Sequence, residues 1–183
     1  MANPFSPNYI EPKKISAYLK LNDGANLIRI LTPKLQILTY FTEFVNGTNI
    51  DDKTGQLCKI KKTYKDEGNG KFPLNAGLEV KKVWACIIYN QDLKKVQIAE
   101  FSQKSIQKFL FSIASGKIKN DWSKFDIQIS KSGERLETKY TFVAGDTEEF
   151  TAEMLASIKP EIDNIDLQSL EVGEEPFLDQ RKK

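Results

Sequence analysis

Lysines interleaved with an aromatic residue are the side chains whose types and spacing most clearly suggest chemistry in this chain. Residues 59–65 read Lys-Ile-Lys-Lys-Thr-Tyr-Lys, with four lysines and one tyrosine in seven positions. Lysines neutralise the phosphates of a nucleic acid, and an exposed aromatic ring stacks on its bases. The run therefore predicts binding to a single-stranded polyanion, with Tyr64 as a stacking residue.

Catalytic chemistry has little support in the composition. The chain contains no histidine, which excludes Ser-His-Asp and Cys-His catalysis and every zinc site that uses imidazole. Its two cysteines cannot complete a tetrahedral zinc site of nitrogen and sulfur ligands alone. We therefore expect a protein that is not an enzyme and that uses no cofactor and no metal.

Charge is distributed unevenly along the chain. Residues 1–142 hold 23 Lys and Arg against 14 Asp and Glu, whereas residues 143–183 hold 4 against 11. This asymmetry predicts a polyanionic partner for the basic body and an acidic C-terminal arm that competes for the same surface. A solvated charged surface with an acidic last helix accounts for the same distribution equally well.

Residues 80–143 contain most of the elements that must position these side chains. Two β-branched and aromatic runs come first and predict strands. Residues 102–115 then change period, so that apolar side chains recur on one face of a helix. Two runs with period two, at 125–129 and 136–142, predict a closing hairpin.

A long first strand precedes these elements and completes the pattern. Its apolar residues run from Leu27 to Val45, and Pro33 marks a bend within it. The resulting order β-β-β-α-β-β predicts a mainly β protein with a five-stranded OB-fold barrel. Such barrels bind nucleic acid with their second and third strands and with the loops after the first and fourth strands.

This pattern divides the chain into three parts. An N-terminal arm covers residues 1–24, and the OB-fold DNA-binding domain covers residues 25–145 with a long basic loop at 46–78. Residues 146–183 form an acidic C-terminal helix and tail, with the helix ending before Pro160.

Both basic loops fall where an OB barrel binds nucleic acid. The predicted DNA-binding residues are Arg29, Lys59, Lys61, Lys62, Tyr64, Lys65, Lys82, Trp84, Lys131 and Arg135, and Lys81 is a further candidate cation. Trp84 is available for stacking if Val83 and Ala85 face the barrel interior; the alternative is that it packs against the N-terminal arm or the helix. Core packing is the preferred interpretation for Tyr40 and Phe44.

Several short motifs resemble single-stranded-DNA-binding proteins of tailed bacteriophages. Residues 18–31, Tyr-Leu-Lys-Leu-Asn-Asp-Gly-Ala-Asn-Leu-Ile-Arg-Ile-Leu, are similar to the opening of that family. Residues 103–107, 121–122, 125–127 and 133–140 are similar to its helix and final hairpin. The resemblance covers residues 16–143.

The resemblance implies an OB-fold protein that coats single-stranded DNA, without sequence preference, during phage DNA replication, recombination or repair. It also implies an acidic tail that recruits replication or recombination proteins and falls back on the DNA groove. The two cysteines, which cannot form a disulfide framework, favour a reducing cytoplasm, which for a phage protein is that of the host cell. The run Glu174-Glu175-Pro176-Phe177 is similar to the acidic tip of bacterial single-strand-binding proteins, although six residues follow it here. Some relatives carry a cysteine-rich zinc insertion, but only Cys58 lies in that region of this chain.

Two other functions remain open. A structural or adaptor protein of a virion would use the same barrel and tail for protein contacts. A metal-dependent nuclease would use the scattered carboxylates. The choice between DNA and RNA and the oligomeric state are also open.

Overall fold

The computed structural model describes residues 16–33, 36–50, 54–69, 71–73, 77, 79–115, 124–134, 137–145 and 149–180. In those parts of the chain the strands are β1 (Gly24–Ile30), β2 (Leu38–Ile50), β3 (Leu57–Lys65), β4 (Lys81–Asn90), β5 (Lys95–Phe101), β6 (Ile127–Ser132) and β7 (Lys139–Ala144). The helices are α1 (Lys104–Ser115), α2 (Ala152–Asp163) and α3 (Ser169–Val172). The prediction of a mainly β protein is confirmed.

The strands form one antiparallel sheet in the order β3-β2-β4-β1-β6-β7, and β5 pairs with the free side of β4. Both β1 and β2 pair with β4, because the chain bends between them at Thr32 and Pro33. The hydroxyl of Thr32 supports the bend by accepting a hydrogen bond of 2.7 Å from the backbone N–H of Ile87. The predicted long first strand with a bend at Pro33 is therefore present as two strands.

One face of the sheet, here called the inner face, packs against α1. Ile106, Leu110 and Ile113 of α1 are buried against strand residues such as Ile88 and Ile129. These helix positions recur at the spacing that the sequence predicted, so the hydrophobic stripe of α1 closes this core. Burial of such side chains, at about 1.5–3 kcal/mol each, is the main force that holds the helix on the sheet.

The opposite face, here called the outer face, is partly covered by the C-terminal segment 149–180. Leu170 of α3 packs with Tyr40, and Ile158 of α2 packs with Ile87 and Tyr89. The sequence prediction that the helix ends before Pro160 is wrong: α2 continues to Asp163, and Pro160 is exposed within it. The predicted tail therefore folds back onto the sheet over the residues that are described.

The N-terminal arm reaches the sheet at β5. Tyr18 forms a parallel bridge with Ile98, and the backbone N–H of Leu19 donates to the carbonyl of Ile98 at 2.8 Å. Within the described parts of the chain β5 makes no ladder with β7, so the sheet remains open between these strands. The arm thus satisfies backbone groups of β5 that would otherwise form an unpaired edge.

The predicted loop over residues 46–78 is wrong over much of its length. Residues 46–50 belong to β2 and residues 57–65 form β3, which pairs with β2 along the edge of the sheet. Lysines are common on edge strands because they discourage pairing with another chain. The polar composition that suggested a loop is therefore that of an exposed edge strand.

Candidate nucleic-acid interface

The register of the β2–β3 hairpin decides which predicted residues share a surface. Directly opposed residues of an antiparallel pair point to the same face, and neighbours along a strand alternate. Phe44 lies opposite Lys61, whereas Phe41 lies opposite Tyr64. The lysine-rich run is thus divided between two faces rather than forming one continuous patch.

The outer face carries one group of cations around an exposed aromatic ring. Phe44 is 58% exposed. Lys59 and Lys61 share its face on β3, and Lys81 shares it on β4 because it lies opposite Thr42. This is the arrangement that single-strand binding needs, with cations for phosphates and a free ring for a base.

A carboxylate organises the floor of this surface. Glu100 Oε1 accepts hydrogen bonds from the hydroxyl of Tyr40 and from Lys61 Nζ, the latter at 2.6 Å. Burial lowers the pKa of Lys61 and raises the pKa of Glu100. The two charges therefore offset one another in a site that disfavours either charge alone.

A groove runs between the hairpin and the ends of β4 and β5. Its volume is about 240 Å³. The residues that line it are Thr42, Glu43, Phe44, Lys61, Glu79, Lys81, Val83, Glu100 and Ser102. The groove thus brings together the exposed ring, two cations and the Glu100 carboxylate on the outer face.

The inner face of the hairpin carries the other group, and hydrogen bonds fix its members. The hydroxyl of Tyr64 donates to Glu43, and this bond lowers the pKa of Glu43 and raises that of Tyr64. Lys82 pairs with Asp66 at 2.5 Å. Burial raises the pKa of Asp66, but hydrogen bonds, led by that from Lys82, lower it overall. Tyr64 and Lys82 are thus held away from Phe44, and Lys62 shares their face.

Two predicted site residues, the buried Arg29 and the half-buried Trp84, are packed within the protein's own contacts, and both predictions need correction. Arg29 is 2% exposed, with Nε donating to Asp126 at 2.7 Å and its guanidinium 4.1 Å from the ring centre of Phe150. Trp84 is half-buried against the α1 core, because Val83 and Ala85 occupy the outer face instead. Arg29 therefore has no access to phosphate, and Trp84 offers no open platform for a base.

The remaining predicted cations are dispersed. Lys65 lies at the end of β3 that α3 approaches, and its Nζ is 3.7 Å from Glu171 Oε1. Lys131 is part of β6 rather than a loop, and its Nζ pairs with Asp23 at 2.8 Å. That hydrogen bond raises the pKa of Lys131. Arg135 lies outside the described residues.

The predicted partner-binding run is only partly available to a partner. The backbone of Phe177 forms an antiparallel β-bridge with Ile165. Its ring meets the ring of Tyr18 edge-on, with ring centres 6.2 Å apart. Pro176 is buried, whereas Glu174 and Glu175 are exposed. The acidic side chains therefore face solvent, but the aromatic residue belongs to the protein's own packing.

Phe44 is exposed, although its sequence pattern predicted core packing. Its neighbour on the same face, Tyr40, is fully buried, so the expectation of core packing is right for Tyr40 and wrong for Phe44. The polar run Asn46-Gly47-Thr48-Asn49, which follows Phe44 and Val45, provides the signal, because it shows that the strand has left the core at this point.

Comparison with known protein families, characterised proteins and solved structures gave no match. Among the described residues no group of three or more metal-binding side chains converges on one point. No helix within the described ranges has the length and apolar character needed to cross a membrane.

Proposed function

We propose that this protein binds single-stranded DNA without marked dependence on sequence, on an OB-fold barrel, and that it is not an enzyme. The strand pairing supports this fold, in which the first strand pairs with both the second and the fourth. β1 and β2 together take the place of the first OB strand, β4 that of the second and β6 that of the fourth. α1 lies between β5 and β6, as the helix between the third and fourth OB strands does.

The position of the groove supports nucleic acid as the ligand. OB-folds bind oligonucleotides on the face of their second and third strands, beside the connection that follows the first strand. Here that face is the outer face of β4 and β5, and the connection contains β3. The C-terminal segment covers one part of this face, and Phe44, Lys61 and Lys81 surround the part that the segment leaves exposed.

The single observation that carries the proposal is the exposed ring of Phe44 among lysines of its own face. Protection of an edge strand explains the lysines of β3 but not the exposed aromatic ring on β2. Lys81 is on β4, an internal strand, so edge protection does not account for it either. A single-stranded nucleic acid uses both features at once.

The salt dependence of binding tests the proposal. Affinity for a fluorescent dT oligomer should fall steeply with rising salt, because phosphate contacts release counterions. Lys59→Ala and Lys81→Ala should each reduce the slope of log affinity against log salt by about 0.7. Lys108→Ala, which removes an exposed lysine from α1, is the matched control and should leave the slope unchanged. A flat salt response would refute a phosphate-binding groove.

In this proposal the protein coats DNA during replication, recombination or repair in a phage-infected cell. The exposed carboxylates of Glu174 and Glu175 are the natural contact for replication or recombination proteins. A virion structural or adaptor protein is the second candidate function, because residues such as Ile50 and Leu57 expose apolar surface near the hairpin tip. That function predicts no mobility shift with single-stranded DNA and a defined oligomer in solution.

A further inference from the structure

The groove beside Phe44 contains a hydrogen-bond acceptor that the protein's own contacts do not use. Both hydrogen bonds to Glu100, from Tyr40 and from Lys61, end on Oε1. No described residue donates a hydrogen bond to Oε2. The Glu100 side chain is 25% exposed and lines the same groove as Phe44, so its second oxygen remains accessible.

We propose that Glu100 selects bases that carry an exocyclic amino group, so that the Phe44 groove binds cytosine more tightly than uracil. The inference rests on the proposed binding of single-stranded DNA and adds a base preference at the one position that enters this groove; the rest of the bound strand is held without regard to sequence. Carboxylate side chains accept hydrogen bonds from the N4 amino group of cytosine, whereas the O4 carbonyl of uracil offers no donor there.

The size of the groove fits one base. Its volume of about 240 Å³ is about eight times the volume of a water molecule in the liquid, which leaves room for a pyrimidine ring. A base that stacks on Phe44 within this space lies beside Glu100, because both side chains line the same groove. Ser102, the residue after β5, adds a hydroxyl to the same lining.

The position of Lys61 makes a carboxylate tolerable in a DNA groove. Its ammonium group, 2.6 Å from Glu100 Oε1, offsets the negative charge that would repel phosphates. Lys81 lines the same groove and adds a second cation. The base and the backbone can therefore occupy the groove together, with the amino group at Oε2 and phosphates near the lysines.

Competition between deoxycytidine and deoxyuridine oligomers of equal length tests the inference, at pH 8 and fixed salt. We expect the wild-type protein to bind the dC oligomer with a dissociation constant about tenfold lower than that for dU. This is the effect of one hydrogen bond to a charged group, made by the one base that enters the groove. Glu100→Gln keeps an oxygen for Tyr40 and Lys61 but places an amide donor in the groove. The preference should therefore disappear or reverse in favour of dU.

Glu153→Gln is the matched control, because it removes the same charge at an exposed position of α2 that does not line the groove. This variant should keep the preference for dC. Equal binding of the two oligomers by the wild-type protein, or an unchanged preference in Glu100→Gln, would overturn the inference and leave the proposed function standing. Absence of binding to both oligomers would overturn the two together.

Discussion

Truncation of Phe44 separates a stacking role from a merely exposed position. Loss of one base stack weakens binding by about 1–3 kcal/mol, which is about 5- to 150-fold in the dissociation constant. Because the ring is 58% exposed and is absent from the core clusters, Phe44→Ala should change the free energy of unfolding by less than about 0.5 kcal/mol. The ring thus affects binding far more than it affects folding.

The assay is fluorescence anisotropy of a labelled dT oligomer at low salt, together with urea unfolding of each variant. Phe111→Ala is the matched control, since Phe111 is 62% exposed but belongs to α1, on the inner side of the sheet. We expect Phe44→Ala to weaken binding at least fivefold and Phe111→Ala to leave it unchanged, within about 0.5 kcal/mol. Equal affinities for the two variants would refute the assignment of Phe44 as a stacking residue.

Two further predictions concern the covered part of the outer face and the inner core. Glu171→Gln should tighten DNA binding by at most about fivefold at low salt, because it frees Lys65, which is 70% exposed, from a surface ion pair. Glu153→Gln should leave the affinity unchanged. An equal gain in affinity for both variants would exclude competition by Glu171. Burial raises the pKa of the Cys86 thiol from 9.0 to about 12, so the folded state keeps a proton that the unfolded state releases as pH rises through this window. The free energy of unfolding should therefore fall as pH rises from about 8 to about 10, by about 1 kcal/mol more in the wild type than in Cys86→Ala. Urea unfolding at both pH values measures this fall, and an equal fall in the two proteins would contradict the prediction.

The predictable parts of the fold are those in which local pattern and tertiary packing agree. The stripe of Ile106, Leu110 and Ile113 predicted α1 because the buried face of a helix repeats with its turn. The bend at Pro33 was predictable because proline cannot continue a ladder of hydrogen bonds. β3 was not predictable, because an edge strand with one solvent side lacks a run of apolar residues.

The parts of the site that were not predictable depend on long-range contacts. The pairing of Arg29 with Asp126 joins residues almost a hundred positions apart, so no local pattern indicates that this arginine is buried. The orientation of Trp84 depends on which face of β4 receives α1 and which receives the C-terminal segment. Alternation along a strand gives two equivalent choices, and only the packed elements decide between them.

The contact between Tyr18 and Phe177 has a consequence for the order in which the chain folds. These rings meet although the residues are separated by almost the whole described chain. The outer face over Tyr40, Ile87 and Tyr89 stays uncovered until residues 149–180 have left the ribosome. Because non-local contacts form slowly and uncovered apolar strands aggregate, the last stage of synthesis is the vulnerable one. A chain cut short within this segment should fail by aggregating before it can be tested for binding.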